Sequence, residues 1–243
     1  MVAYKAAASV ETATEFEPGY WTWYADEMLA RQAVEDQIDA LMERLEGTDC
    51  KLCVTDSEGN FRFSILPTYK GNRKGTKKPL VLKAIKQWLI DEKGAYFRPG
   101  LEGDDCMGIL ATAKGKGEKV IVSIDKDMKT VPGLFSKDGE TIVEISENEA
   151  NYWHMYQTLI GDQTDGYSGC PGVGPKKAEV ILRESDEGRG DCVWMWQQVV
   201  DTYAKAKLTE ADALTQARVA RILRASDYDF TKKRPILWTP PLK

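Results

Sequence analysis

Lys119-Val120-Ile121-Val122-Ser123-Ile124-Asp125-Lys126-Asp127 reads as a short buried strand that runs out into two aspartates. An apolar, β-branched run of this length, bounded by charge, suits a strand covered on both faces. Leu52-Cys53-Val54, inside Lys51–Thr55, does the same and ends at Asp56. Between the two, Leu80–Glu92 reads as a helix after Pro79, and Asp104 and Asp105 open a helix over Cys106–Ala113. Toward the N-terminus, Trp21, Tyr24, Met28, Leu29, Val34, Ile38, Leu41 and Leu45 recur at helical spacing. They predict one helix from Tyr20 to Leu45, ended by Gly47, with residues 1–19 weakly patterned. Helical pattern dominates from about Ser146 to the C-terminus. Strands alternating with helices, then helices alone, predict an α/β sheet domain over 1–145 and a helical region over 146–243.

Composition narrows the chemistry. A 42% hydrophobic content supports a core, and 29% charged residues suit a soluble chain of 243 residues. No apolar run has the length of a membrane-spanning helix, and no signal region opens the chain, so a cytoplasmic location is the default. The single histidine, His154, lies among Tyr152, Trp153, Met155 and Tyr156, which reads as helix packing rather than catalysis. Five cysteines, an odd number, read as reduced thiols. Cys50 and Cys53 form a lone C-x-x-C entering a strand, better read as buried packing than as a zinc or redox site.

The carboxylates remain. Asp56 and Asp125 lie at strand ends, where open α/β sheets bind their ligands. Glu102, Asp104 and Asp105 precede a helix; Asp127 follows Asp125; Asp162 and Asp165 sit in Gly-Asp-Gln-Thr-Asp-Gly. Each group alone has a bland reading as a cap, a turn or solvated charge. Together they are an all-oxygen donor set suited to Mg²⁺ or Mn²⁺, and two such ions support in-line phosphoryl displacement. With these eight acids set aside from the net −5, the remaining charge is +3, so a nucleic-acid partner stays open.

Two stretches point to that partner. Gly172-Val173-Gly174-Pro175-Lys176-Lys177 makes a tight turn with free N–H groups at a helix start beside two lysines, a device for gripping phosphate without reading bases. Within the basic loop 58–78, Tyr69–Lys78 carries Lys70, Arg73, Lys74, Lys77 and Lys78, with Arg62 upstream. A plain helix–turn–helix connection and a solvated loop are the alternatives. Lys114, Lys116 and Lys119 read as ordinary surface.

The chained motifs resemble the 5′-3′ exonuclease and flap endonuclease family, most of all the exonucleases of T7-like podoviruses. They are Asp56, Phe61-Arg62, Tyr69–Arg73, Glu102–Asp105, Ser123–Asp127, Gly161–Ala178 and Ala217–Arg224. The resemblance implies a PIN-like, twisted, mostly parallel sheet flanked by helices, with a helix–hairpin–helix near 161–182. It implies a 5′-3′ exodeoxyribonuclease working by two metal ions, with flap-cutting and RNA-primer-removing activity as further expectations. Asp56, Glu102, Asp104 and Asp105 would serve one Mg²⁺, and Asp125, Asp127, Asp162 and Asp165 the second, with Mn²⁺ as a substitute. Lys70 and Arg73 would contact the scissile phosphate. Arg62, Lys74, Lys77, Lys78, Gly172, Gly174, Lys176 and Lys177 would hold DNA, with K⁺ at the hairpin. The implied partner is duplex DNA with a free 5′ end or flap, or an RNA–DNA hybrid, bound by a monomer. One departure stands: the family's first strand carries a metal-binding aspartate, and residues 1–19 show no apolar strand with one. A catalytically impaired DNA-binding member is therefore the alternative; a metal-dependent phosphatase fits the DNA-grip motifs poorly.

Overall fold

The computed structural model describes residues 1–73, 75–183 and 191–241. It opens with helix α1 (Val2–Ser9), then strands β1 (Glu11–Glu17) and β2 (Tyr20–Ala25), paired antiparallel. The helix expected from Tyr20 therefore starts later. Tyr20-Trp21-Thr22-Trp23-Tyr24 is aromatic and β-branched, a composition that favours extended chain. Its helical spacing is coincidental, since these side chains are exposed rather than aligned on a core. Asp26 begins helix α2 (Glu27–Arg44) by accepting from Met28 N at 2.8 Å and Leu29 N at 3.1 Å.

Helix α2 buries Ala30 and Val34 against Ala6 of α1, against Ile85, Trp88 and Leu89 of α3 (Leu82–Asp91), and against Val54 of β3 (Cys53–Val54). Strand β3 runs parallel to β4 (Tyr96–Phe97). Helix α4 (Gly103–Thr112) follows, then β5 (Val120–Val122), β6 (Gly133–Ser136) and β7 (Ile142–Ile145). Strands β5 and β6 are parallel and β7 is antiparallel to β6. The sheet is thus two hydrogen-bonded pieces among the described residues, β3-β4 and β5-β6-β7, with α4 packed on both. Strands β4, β6 and β7 escape the sequence reading because each is short and half exposed.

Ser146 and Glu149 form a reciprocal capping box that starts α5 (Glu147–Ile160). Helices α6 (Pro175–Ile181), α7 (Cys192–Lys205) and α8 (Glu210–Ala220) complete the helical half, whose core includes Met155, Leu159, Leu182, Met195, Val199 and Tyr203. His154 is buried here, its Nε2 2.8 Å from the Ala217 carbonyl oxygen. The helical pattern ends at Ala220 rather than running to the C-terminus. The chain then returns to the α/β half, where Ile222 and Leu223 join the cores around α4. A Cβ on Gly108 would lie 2.4 Å from the Leu223 carbonyl oxygen, so only glycine permits this approach. A hairpin of β8 (Tyr228–Asp229) and β9 (Arg234–Pro235) follows. Among the cysteines Cys106 and Cys170 are buried, but Cys50 is exposed and does not pack as expected. Among the described residues no helix is long and apolar enough to cross a membrane.

Candidate active site

The start of α4 organises the site. Glu102 is its N-cap and Asp105 its third residue, and each side chain accepts from the other's backbone N–H. Asp105 is fully buried. Its two oxygens accept from Arg62 Nη1 and Nη2, both at 2.8 Å, and Oδ1 also accepts from Leu223 N at 3.2 Å. The remaining Arg62 donors reach the Val219 and Arg221 carbonyls at 2.9 and 2.6 Å. Arg62 is 2% exposed, which corrects its assignment to DNA contact. A guanidinium locked in a bidentate pair, between the rings of Phe61 and Tyr69, is not presented to a phosphate. Sequence places Arg62 in a basic loop; nothing in its neighbours shows that the loop turns inward there.

Loop 69–73 crosses from α4 to the turn after α5. Tyr69 OH lies 3.1 Å from Glu102 Oε2 and 3.0 Å from Asp165 Oδ2. Lys70 Nζ is 2.5 Å from Glu102 Oε1 and 3.5 Å from Asp165 Oδ2. Arg73 Nη2 is 2.5 Å from Asp165 Oδ1, and its Nε donates to the Thr164 carbonyl at 3.1 Å. Backbone contacts fix the register: Lys70 N donates to the Asp165 carbonyl at 2.7 Å, and Asn72 Nδ2 to that of Gln163 at 2.8 Å. The turn is shaped by Asp162, whose Oδ1 accepts from Thr164 N and Asp165 N. Gly166, at φ +76°, lets it lie against the loop; a Cβ there would sit 3.1 Å from the Thr68 carbonyl. Tyr69 and Asn72 had no assigned role from sequence, and their contacts span about ninety residues of chain.

The other acids extend this group. Asp125 caps the 3-10 turn Lys126–Thr130 by accepting from Asp127 N at 2.9 Å. Burial, then Asp125, Glu102 and Asp105, push the Asp104 carboxyl up to about 7. Burial, then Asp125, Asp162 and Asp165, do the same to Asp127, also to about 7, although Gln157 Nε2 donates to it. Asp125 acts on both, so one negative field runs from Glu102 to Asp165. Glu102 goes the other way: burial would raise it, but Arg62 and Lys70 hold it below the usual carboxylate range. Asp56 stands apart. Burial would raise it too, but it accepts from Gly100 N and Glu58 N, which hold it low, and Lys86 is the charged group acting on it. As the side chains stand, no three acidic, histidine or cysteine groups among the described residues are arranged to hold a metal ion. Lys70, Arg73 and Arg62 instead occupy three of them, Glu102, Asp165 and Asp105.

The basic surface divides in two. Lys77 pairs with Glu11, and its Nζ lies 3.5 Å over the Trp23 ring; Lys78 is exposed. Lys74 lies outside the described residues. In the other half, Gly172 takes φ +72°, Val173 is buried as the anchor, and Gly174 precedes Pro175 at the start of α6. A Cβ on Gly172 or Gly174 would meet nothing within 4 Å, so this turn is open to an incoming surface. Lys177 Nζ donates to the Gly172 carbonyl at 3.1 Å, and Lys176 is exposed.

The family model of the 5′-3′ exonuclease N-terminal resolvase-like domain matches residues 24–151, more than half of the chain. The chain belongs to the 5′-3′ exonuclease family. It is 34% identical to the exodeoxyribonuclease of Enterobacteria phage T3, over 98% of this chain and 90% of that protein. It is 33% identical to the exonuclease of Escherichia phage T7, over 98% and 91%. Among solved structures it is similar to the T5 D15 protein co-crystallised with metal ions, with a TM-score of 0.57 and 17% identity over 78% of this chain and 86% of that one. That likeness gives the fold: α/β and resolvase-like, with helices around a sheet. As a member of the 5′-3′ exonuclease family the chain is a nuclease, a phosphodiester hydrolase.

Proposed function

We propose that this 5′-3′ exonuclease cuts DNA at or near a 5′ end, flaps and RNA–DNA hybrids included, as a monomer dependent on divalent metal. One observation carries the reading. Lys70 and Arg73 meet Glu102 and Asp165, so the basic pair and both acid groups share one place.

The donor set fits a divalent cation. It is all oxygen, and Asp104 and Asp127 are raised because their neighbours are negative, the condition that a cation relieves. Glu102 and Asp104 would hold one ion, and Asp125, Asp127, Asp162 and Asp165 a second. When bound, Mg²⁺ or Mn²⁺ supplies Lewis-acid stabilisation and an activated water for in-line displacement. Asp105 supports this from behind by fixing the α4 start through Arg62 rather than by facing the ion. Asp56, bonded by Gly100 N and Glu58 N, is an outer member of the set.

The chain's own cations have two states in this reading. Without substrate, Lys70 and Arg73 neutralise Glu102 and Asp165. With the carboxylates neutralised by metal, both turn to the scissile phosphate and stabilise charge developing on it. Tyr69 keeps Glu102 and Asp165 at a fixed separation meanwhile. The 172–177 turn holds the duplex backbone without sequence preference, with Lys176 and Lys177 beside open N–H groups. Lys177 bonds the Gly172 carbonyl, and K⁺ at the same turn is part of this reading. Lys78 adds phosphate contact from the basic loop.

The test is hydrolysis of a 5′-labelled duplex with Mg²⁺ and with EDTA. Cleavage is expected only with the metal, releasing label from the 5′ end. Undiminished cleavage in EDTA would refute metal dependence. Tight binding without cleavage in Mg²⁺ would make the chain a DNA-binding member of its family.

A further inference from the structure

The β1-β2 hairpin projects its side chains into solvent. Trp21 is 52% exposed and Trp23 45%, and Tyr20, Tyr24 and Phe16 are more exposed still. Residues two apart on a strand share a face, so Trp21 and Trp23 lie side by side, and the register sets Glu15 opposite Trp21. Exposed aromatic rings in such number mark a contact surface, not a core.

The basic loop is tied to that face. Glu11 pairs with Lys77 and accepts from Leu80 N at 2.7 Å, while Lys77 Nζ stands over Trp23. The same loop holds Asp165 through Arg73. Arg73 and Lys77 are four positions apart, a span of at most about 14 Å. A strand leaving the site along this loop thus reaches Trp21 within a few nucleotides.

We infer that the Trp21–Trp23 face of the hairpin is a stacking platform for single-stranded DNA extending from the duplex end, with the exposed Lys78, next to Lys77, countering its phosphate. The inference rests on the DNA-cutting reading above. Flat rings beside a lysine are the elements by which proteins hold single strands without reading sequence. The acids of the hairpin do not oppose it strongly. Glu11 is neutralised by Lys77, Glu15 accepts from Gly19 N at 2.8 Å, and Asp26 is engaged as the α2 cap. A basic protein partner would use the same acids unpaired, and these three are already engaged.

The experiment compares blunt duplex with duplexes carrying a 5′ or a 3′ oligothymidylate tail, by fluorescence anisotropy in EDTA. The unaltered chain is expected to bind one tailed duplex about tenfold more tightly than blunt duplex, the size of one stacked base. The favoured arm identifies the strand. Trp21→Ala should remove that advantage and leave blunt-duplex affinity within about twofold, while Trp21→Phe should retain it. In parallel, oligothymidylate should quench tryptophan emission of the unaltered chain, and Trp21→Phe, which keeps a ring and so the fold, should lose part of that quench. Equal affinity for tailed and blunt duplex, or a tail advantage that survives Trp21→Ala, overturns the platform and leaves the face to a protein partner. Failure to bind any of the three duplexes overturns the DNA-cutting reading itself.

Discussion

The α4 start and the α6 turn both handle charge, in opposite ways. At α4, Asp105 and Arg62 are buried as a pair, and Glu102 is held between Lys70, Tyr69 and Arg62. At α6, Gly172 and Gly174 face open space, and Lys176 and Lys177 are exposed. A buried charge depends on its partner, because water cannot replace it. An exposed turn depends mainly on its own backbone conformation. Mutations at the first region should therefore act on fold and chemistry together, and those at the second mainly on binding.

The largest expected effect sharpens this contrast within the carboxylates. Asp125→Ala should cut hydrolysis on the order of a thousandfold while duplex affinity stays nearly unchanged. Rates on 5′-labelled duplex and anisotropy in EDTA give the two numbers; normal hydrolysis would remove Asp125 from the site. Asp105→Ala should behave differently, losing folded protein as well as activity, since Arg62 would be left buried without its carboxylate.

Next in size, Arg62→Met should destabilise the chain by about 3–5 kcal/mol in urea unfolding, because Asp105 loses its cation in a dry place. A change below about 1 kcal/mol would mean the pair is solvated, and the comparison would fail.

The acid group also sets a pH trend in the metal-free chain. Asp104 and Asp127, raised from 3.8 to about 7, favour the folded state when protonated. Their contribution is full below about pH 4 and is lost as pH rises through about 7. Glu102, held low, acts in the opposite sense, but its loss comes in acid, below this window. In chelator the melting temperature should therefore fall between pH 5 and pH 8, by roughly 4–8 °C for a loss of about 2 kcal/mol. Mg²⁺ should restore more at pH 8 than at pH 5, and Asp104→Asn should flatten the curve. A melting temperature that rises across this interval would contradict the sign.

The smallest effects belong to the turn. Gly174→Leu should leave stability within about 0.5 kcal/mol, since its backbone is extended and nothing meets a Cβ. It should nonetheless weaken binding of unrelated duplexes to a similar degree. Gly172→Ala should cost roughly 1 kcal/mol through its positive φ. Weakened binding of one duplex sequence only would show base reading in place of a backbone grip.

Much of this was present in the order of residues. Runs such as Val120–Val122 and caps such as Ser146 declare themselves locally, because strand alternation and helix capping involve neighbours within four positions. The Gly172–Lys177 turn is equally local, so its residues and its shape could be read together. Tyr20–Ala25 was not legible, because aromatic residues at helical spacing also suit a hairpin, and exposure decides between the two. The eight acids could be named, but their states could not.

The sequence by itself determined the alternating α/β pattern, the helical second half, the acids and the basic loop. Only the tertiary structure decided which cation meets which acid. Arg62 and Lys70 are eight residues apart, yet one is sealed against Asp105 and the other reaches Glu102 at the edge of the site. It likewise decided that backbone N–H groups hold Asp56 low while Asp127 shares a field with Asp162 and Asp165. The physical reason is range. Capping and periodicity are settled within a turn or two of chain, whereas ion pairing and burial depend on distance in space, and folding brings residues 62, 105 and 219–223 together.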